Sequence, residues 1–388
     1  MKICIIANGY PSRKDPQRGC FELDQALALK EQGHNVDILY LDGAFRLFWR
    51  EIGVKHLKHN GINVFGLFIF PLKPFKILLP RITFIKLRQA LLLYLFNRTY
   101  KQRKLPDVLY AHYLYNIAYV TKIKEQYNIP LVGIEHWSEI NQLKLTKYVK
   151  YLGNIAYQRA DKVVAVSKSL SKSIKKYFGI ESIIVNNMFG REFLINNDTY
   201  IKKDDTSFNF LAIGSLIPRK GFDLLINSFY KTNLANRCKL TIIGGGAEYD
   251  RLQNQINSLS LQESVKLVGR KNKQEIISYL QKSHCFILSS HVETFSVVCI
   301  EAMALGVPVI ATACGGPEEF ITDEVGILIK PSDVEALTNA MIQMYDNYIL
   351  YDNNKIAEYC RNKFAPEVIT KQLSSIFEEV IANHNEKQ

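Results

Sequence analysis

Short β-forming runs and amphipathic helical stretches alternate along almost the whole of this 388-residue chain. Successive parallel strands need a long crossover between them, usually a helix. An alternation of this kind therefore commits the chain to parallel sheets covered by helices. In the first half the expected strands are Lys2–Ala7, Val36–Leu41, Ile62–Phe70, Val108–His112, Leu131–Glu135, Val163–Ser167 and Ile183–Asn186. Helices are expected at Phe21–Gln32 with Gly33 as its stop, within Arg81–Lys104, at Leu114–Tyr127, within Asn141–Arg159 and at Ser169–Phe178. The second half repeats the rhythm with strands Phe208–Ile213, Leu240–Ile243, Val265–Val268, Cys285–Leu288 and Val307–Ala311. Its helices are Phe222–Tyr230, Tyr249–Leu259, Gln274–Gln281 and Val297–Leu305. Asn186 to Ser207 breaks the pattern with Asn-rich, charged sequence and reads as a linker between two domains, each long enough to bury a core.

One strand-to-helix turn carries the most chemistry. Glu293-Thr294-Phe295-Ser296-Val297-Val298-Cys299-Ile300-Glu301 places two carboxylates eight positions apart, one before the helix and one a turn inside it. Helical side chains lean toward the N-terminus, so Glu301 reaches back to the end where the amides of Phe295, Ser296, Val297 and Val298 lack helical partners. Amides and helix dipole suit a phosphate, and carboxylates suit hydroxyls, so the turn fits a ligand bearing both. Read alone, Glu293 is equally a helix cap and Glu301 a solvated helix residue.

With Ala302-Met303-Ala304-Leu305-Gly306-Val307-Pro308-Val309 following, the stretch resembles the retaining glycosyltransferases of family 4. Their hallmark is Glu, seven residues, and a Glu-Ala-Met-Ala-x-Gly-x-Pro-Val block. The resemblance implies an α/β chain of the GT-B type, two doubly wound Rossmann-like domains facing across a cleft. Residues 1–187 would take the acceptor and 207–365 the nucleotide sugar, with a final helix at about 366–388 packing back on the first domain. It assigns Glu293 to the transferred sugar and Glu301 to the ribose. It also implies that Lys220, in Gly214-Ser215-Leu216-Ile217-Pro218-Arg219-Lys220, holds the donor diphosphate. Three departures stand out: Thr294 and Ser296 where the family usually or often has Gly, and Ser215 where it has an Arg, for which Arg219 is the candidate substitute. Gly244-Gly245-Gly246 matches a family turn bordering the nucleotide, and Arg270 the loop against the base. His136, in Glu135-His136-Trp137, matches a His near the reacting carbon. Gly19 belongs to the first loop, which is similar to one that closes over the diphosphate. No metal or other cofactor is implied, and Asp204-Asp205 lacks the strand-end context a magnesium site needs.

Composition bounds the setting. Seven scattered Cys without a C-x-x-C pair or zinc-type His spacing fit a reducing cytoplasm. No signal peptide is expected after Met1-Lys2, and the apolar region Ile77 to Phe96 is too broken by Pro80, Arg81, Lys86 and Arg88 to span a membrane. The net charge of +12 is concentrated between Arg46 and Lys104, where thirteen Lys or Arg face a single acid, Glu51, among Phe45, Phe48, Trp49, Phe65, Phe68, Phe70, Phe75 and Phe84. That mixture suits an anionic lipid surface. A solvated basic face on an ordinary helix is the other reading, and no nucleic-acid recognition motif accompanies the charge.

Together these point to a cytoplasmic, peripherally membrane-associated retaining glycosyltransferase without a divalent metal. It would move a sugar from a nucleotide-diphosphate sugar to a hydroxyl of a glycan or lipid-linked glycan, in cell-surface polysaccharide synthesis. A GT-B nucleotide-sugar epimerase stands as an alternative. So does a non-catalytic nucleotide-sugar or lipid-binding module, which the loss of the family Arg at Ser215 favours.

Overall fold

The structure, a computed structural model, describes residues 1–12, 18–43, 52–70, 81–142, 144–194 and 207–386. The chain divides into two compact units, Met1–Asn186 with Pro366–Gln388, and Asn187–Ala365.

In the first unit the strands are β1 Lys2–Ala7, β2 Asn35–Asp42, β3 Gly53–His59, β4 Ile62–Phe68, β5 Val108–His112, β6 Leu131–Glu135, β7 Lys162–Ala165 and β8 Ile183–Ile184. Among the described residues they form one sheet in the order β3-β4-β2-β1-β5-β6-β7-β8, parallel throughout except where β3 pairs antiparallel with β4. The central strand β1 is buried at all six positions, which is why its sequence is a continuous apolar run rather than an alternating one. The helices are α1 Cys20–Glu31, α2 Arg81–Tyr100, α3 Leu114–Tyr127, α4 Lys147–Arg159 and α5 Lys168–Phe178.

The second unit holds α6 Phe222–Lys231, α7 Tyr249–Ser258, α8 Lys273–Lys282, α9 Val297–Ala304, α10 Val334–Asn347 and α11 Asn353–Phe364. Its strands are β9 Phe208–Ile213, β10 Cys238–Ile243, β11 Val265–Leu267, β12 Cys285–Leu288, β13 Val309–Thr312 and β14 Gly326–Ile329. All are parallel, in the order β11-β10-β9-β12-β13-β14. Strand order reverses between β9 and β12 here, and between β1 and β5 in the first unit. Those reversals are where crevices open at the carboxyl ends of such sheets.

The last helix, α12 Pro366–Asn385, belongs to the first unit. Phe377 meets Tyr110 of β5 edge to face with centroids 4.9 Å apart, Ser374 meets the His34 ring at 2.8 Å, and Lys162 donates to Glu379 at 2.8 Å.

Four elements were not expected from the sequence. β3 makes a hairpin with β4 across Asn60-Gly61, both at positive φ (45° and 81°), the backbone that a two-residue hairpin turn demands. β14 and the helices α10 and α11 complete the second unit beyond the last strand that the sequence reading placed.

The basic segment is divided by the fold. Lys55, Lys58, Lys86, Arg98, Lys101 and Lys104 are exposed, and so is Phe70 at 61%. Phe65 and Phe84 are core residues rather than insertion groups. Arg46, Arg50, Lys73, Lys76, Phe45, Phe48, Trp49 and Phe75, like the side chain of Arg81, lie outside the described residues. Arg103 is turned inward onto Asp37, a fully buried carboxylate on β2. Asp37 accepts from Arg103 at 2.9 Å, from Asn63 of β4 at 2.9 Å and from Tyr100 of α2 at 3.0 Å, with Lys2 of β1 at 3.8 Å. One carboxylate therefore ties β2 to three other elements, β1, β4 and α2, at the amino end of the sheet.

Removing one member of a buried ionic cluster strands the others. Asp37→Ala should destabilise the first unit by about 3–5 kcal/mol, read as a lowered calorimetric transition. A loss below about 1 kcal/mol would show that the cluster is solvated and unimportant.

Candidate donor site and strand-end histidines

In the second unit the loops leaving β9 and β12 flank the strand-order reversal. The β9 loop turns at Gly214, and the stem of Lys220 passes over it: a Cβ on Gly214 would lie 3.6 Å from Cδ and Cε of Lys220. The Lys220 ammonium is ion-paired with Oε1 of Glu293, which leaves the β12 loop. The same oxygen accepts from Ser290 Oγ at 2.8 Å. Both partners are largely shielded, with side chains 19% and 11% exposed, so the pair is held in a setting of low effective dielectric.

The two loops are also laced together through their backbones. Ser289 Oγ donates to the Lys220 carbonyl at 2.9 Å, the His291 amide to the Arg219 carbonyl at 2.9 Å, and the Glu293 amide to the Cys314 carbonyl at 2.9 Å. Thr312 Oγ1 of β13 donates to the Ser290 carbonyl at 2.6 Å. Ser290, His291 and Thr312 had no sequence signal, because each works through a partner remote in the chain.

Beyond Glu293, Phe295 is 1% exposed and packs on Phe320 and Phe364, anchoring the loop while its backbone continues into α9. Ser296 stands at the N-cap with φ +82° and its side chain makes no cap bond; its Oγ donates instead to Cys299 Sγ at 3.2 Å. The opening amides of α9, among them Val297 and Val298, are thus left without a capping side chain, as an anion site requires. Glu301 sits half-buried in the fifth position of α9.

The Gly244-Gly245-Gly246 turn after β10 packs directly on the β9 loop. A Cβ on Gly244 would fall 1.9 Å from the Gly214 carbonyl oxygen, and one on Gly246 2.3 Å from that of Leu216, so only glycine fits. Arg270 lies across this turn, its Nε 3.0 Å from where a Gly245 Cβ would be. One edge of the second sheet therefore carries Gly214, Arg219, Lys220, Arg270, Glu293, Phe295, Ser296, Val297, Val298 and Glu301.

The first unit carries the other two sequence-predicted residues. Gly19, at φ +74°, is the N-cap of α1, and a Cβ there would meet the Gly9 carbonyl oxygen at 2.3 Å. The approach of the chain to itself is by itself enough to require this glycine. His136 follows β6 and stacks on His112 at the end of β5, rings 5.2 Å apart and 8° from parallel, with His112 Nδ1 3.2 Å from His136 Nε2. His112 is fully buried, and its Nε2 has no partner. An orphaned buried N–H is rarer and costlier than an orphaned acceptor. The proton therefore belongs on His112 Nδ1, donated to His136 Nε2, which leaves the His136 proton on Nδ1. Burial, with His136 beside it, holds His112 well below the usual imidazole range, in keeping with a neutral ring.

Glu135 shapes this loop. It is fully buried and accepts from the amides of His136 at 2.9 Å, Trp137 at 2.8 Å and Leu114 at 2.9 Å, and from Tyr157 OH at 2.6 Å. Burial pushes its carboxyl up to about 7 while the four donors pull the other way. With two donors on each oxygen an added proton finds no acceptor, so the geometry favours the carboxylate. Tyr113, between His112 and α3, is held at φ +68°, a strained backbone for a residue of its size.

Among the described residues no group of three or more His, Cys, Asp or Glu is placed to hold a metal ion, and no helix is long and apolar enough to cross a membrane.

The chain is similar to known proteins over most of its length. The family model of glycosyl transferases group 1 matches residues 196–363, and that of glycosyltransferase family 4 matches residues 23–187. The chain is a family 4 glycosyltransferase. Relatives of this glycosyltransferase include the N-acetyl-alpha-D-glucosaminyl L-malate synthase of Bacillus anthracis, 25% identical over 98% of both chains. Among solved structures, a sucrose-phosphate synthase from Thermosynechococcus elongatus aligns with TM-score 0.81 at 18% identity, covering 98% of this chain and 99% of its own. An Anabaena protein in complex with UDP and glucose aligns with TM-score 0.72 at 18% identity, covering 98% of this chain and 100% of its own. The fold is GT-B, two Rossmann-like α/β units, and the glycosyltransferase draws its sugar from a sugar nucleotide.

Ser296 in a left-handed conformation costs the glycosyltransferase roughly 1–2 kcal/mol, of which Gly would lose part to its freer unfolded chain. Ser296→Gly should therefore raise stability by about 1 kcal/mol. A lower melting temperature in that variant would refute the strain.

Proposed function

We propose that this enzyme is a retaining, metal-independent glycosyltransferase that moves a sugar from a nucleoside-diphosphate sugar to a hydroxyl of a glycan or lipid-linked glycan. We place it on the cytoplasmic side of the membrane, in the synthesis of a cell-surface polysaccharide. The observation that carries this reading is the Lys220–Glu293 pair, fixed by Ser290 beside the uncapped start of α9. A diphosphate seated on those amides meets a cation already in place, and Arg219 from the same loop adds a second.

In the reaction the bond from the anomeric carbon to the diphosphate oxygen breaks, and the acceptor oxygen bonds to that carbon from the same face. The acceptor proton passes to the departing phosphate oxygen, so neither Glu293 nor His136 need become a nucleophile. Lys220 and the α9 amides offset the charge that develops on the leaving group. Glu293 orients Lys220 and faces the sugar, Glu301 holds the ribose and Arg270 borders the base, while the family resemblance assigns His136 its role at the reacting carbon. Gly19 belongs to the loop over the diphosphate. The exposed lysines of the first unit, with Phe70 beside them in sequence, support an anionic membrane surface as the place where the acceptor is met.

UDP, bound by the Anabaena neighbour, is the first diphosphate to test. Lys220→Ala should weaken UDP at least tenfold while leaving uridine unchanged. Glu293→Gln should lower turnover roughly 100-fold with UDP affinity changed much less. If both variants lose UDP binding equally, or neither does, the division of roles is wrong. Turnover should persist in excess EDTA, and its restoration by magnesium or manganese would refute metal independence.

Co-sedimentation with phosphatidylserine vesicles should fall when Lys86, Arg98, Lys101 and Lys104 are changed to Gln, and should weaken with salt over a screening length of about 8 Å at physiological ionic strength. Equal binding to neutral vesicles, or none to either kind, would return these lysines to an ordinary solvated face.

A further inference from the structure

The sequence places Arg88 among the basic groups of a membrane-facing helix, but in the fold its side chain is half-buried. The side chain runs from α2 toward the carboxyl end of β2, where a Cβ on Gly43 would lie 3.5 Å from its Nη2. Its guanidinium sits 5.3 Å over the ring of Phe84, itself a core residue. Its Nε is shielded from solvent and has no hydrogen-bond partner. The next residue fixes the direction: Gln89 donates to the Ala118 carbonyl at 3.0 Å and to Thr121 Oγ1 at 3.2 Å, locking α2 against α3.

The neighbouring charges do not balance it. Asp42, the last residue of β2, is bound by Arg18 Nη1 at 3.0 Å, and Arg18 Nη2 donates to the Asn8 carbonyl at 3.2 Å. Asp42 is thus engaged by Arg18, and no ion pair to Arg88 is seen among the described residues. A guanidinium does not shed its proton, so it cannot neutralise itself when buried, and an uncompensated buried charge is among the most expensive features a fold can carry. The phenols of Tyr119 and Tyr148 also border Arg88, and burial lowers the arginine's pKa from its ordinary value. Arg103, whose Nη1 also lacks a hydrogen-bond partner, has its charge paired by Asp37 in the same unit, so this chain does pair an arginine where it serves only the fold.

We propose that Arg88, with Arg18 beside it, forms an oxyanion site for a phosphate or carboxylate group of the acceptor. Planar guanidinium geometry suits both groups through paired N–H···O bonds. The position is apt, because ligands of doubly wound sheets bind at the carboxyl ends of the strands. That the anion's carrier is the acceptor rests on reading the first unit as the acceptor domain; the anion site itself does not.

The test uses the full chain saturated with UDP, so that the diphosphate site is occupied, and follows thermal unfolding against inorganic phosphate or succinate at matched ionic strength. One of the two anions should raise the wild-type melting temperature, which identifies the group as phosphate or carboxylate. Arg88→Met should weaken that response at least tenfold and Arg88→Lys less, with UDP affinity unchanged. Without anion, Arg88→Met should melt at or above the wild type, since it replaces an unpaired, half-buried charge by a side chain that packs on Phe84. The proposal is overturned if neither anion stabilises the wild type, or if Arg88→Met responds equally. It is overturned too if Arg88→Met without anion melts several degrees lower, which would make Arg88 a structural cation. Should UDP fail to bind while the anion response still depends on Arg88, the donor reading falls and the anion site stands.

Discussion

A parallel sheet covered on both faces has one edge where chemistry can be built, and both units of this enzyme obey that constraint. Every strand-to-helix turn emerges at the carboxyl edge. Where the strand order reverses, neighbouring turns diverge and leave backbone groups without sheet partners. In the second unit the β9 and β12 loops at that reversal bring Lys220 onto Glu293 although seventy-three positions separate them. In the first unit the ends of β5 and β6 bring His112 onto His136. The sheet supplies the rigid base, and the loops supply groups that the core cannot accommodate.

Buried charge is handled in two ways, and the contrast separates fold from function. Asp37 and Glu135 are fully buried and surrounded by donors, so they fasten elements to one another and present little to a ligand. At the donor edge, Lys220 and Glu293 are partly exposed and α9 begins without a capping side chain. Ser296 at φ +82° and Tyr113 at φ +68° add backbone strain at the same two edges. Strain of this kind persists only where the surrounding structure over-determines it, and the lacing of the β12 loop by Ser289, His291 and Thr312 provides that.

The sequence alone determined the α/β class, most of the strands and helices, and the motif positions around Glu293, Glu301 and Lys220, because hydrophobic period and short-range spacing are local properties that survive in a single chain. Asn60-Gly61, the turn that makes β3 a hairpin partner of β4, is a local signal too, but β3 is largely exposed and shows no apolar alternation to mark it as a strand. What only the tertiary structure decided is which distant groups meet. Thirteen basic residues in one segment read as a single field. The fold sends Arg103 to a buried carboxylate and Arg88 to the edge of the sheet while leaving Lys86 and Lys101 in water. Glycine at position 19 reads as room for a ligand, and the fold adds that it is room for the Gly9 carbonyl. Partnership of this kind depends on crossover geometry and side-chain direction across elements far apart in the chain, and composition and spacing do not encode it in any local form.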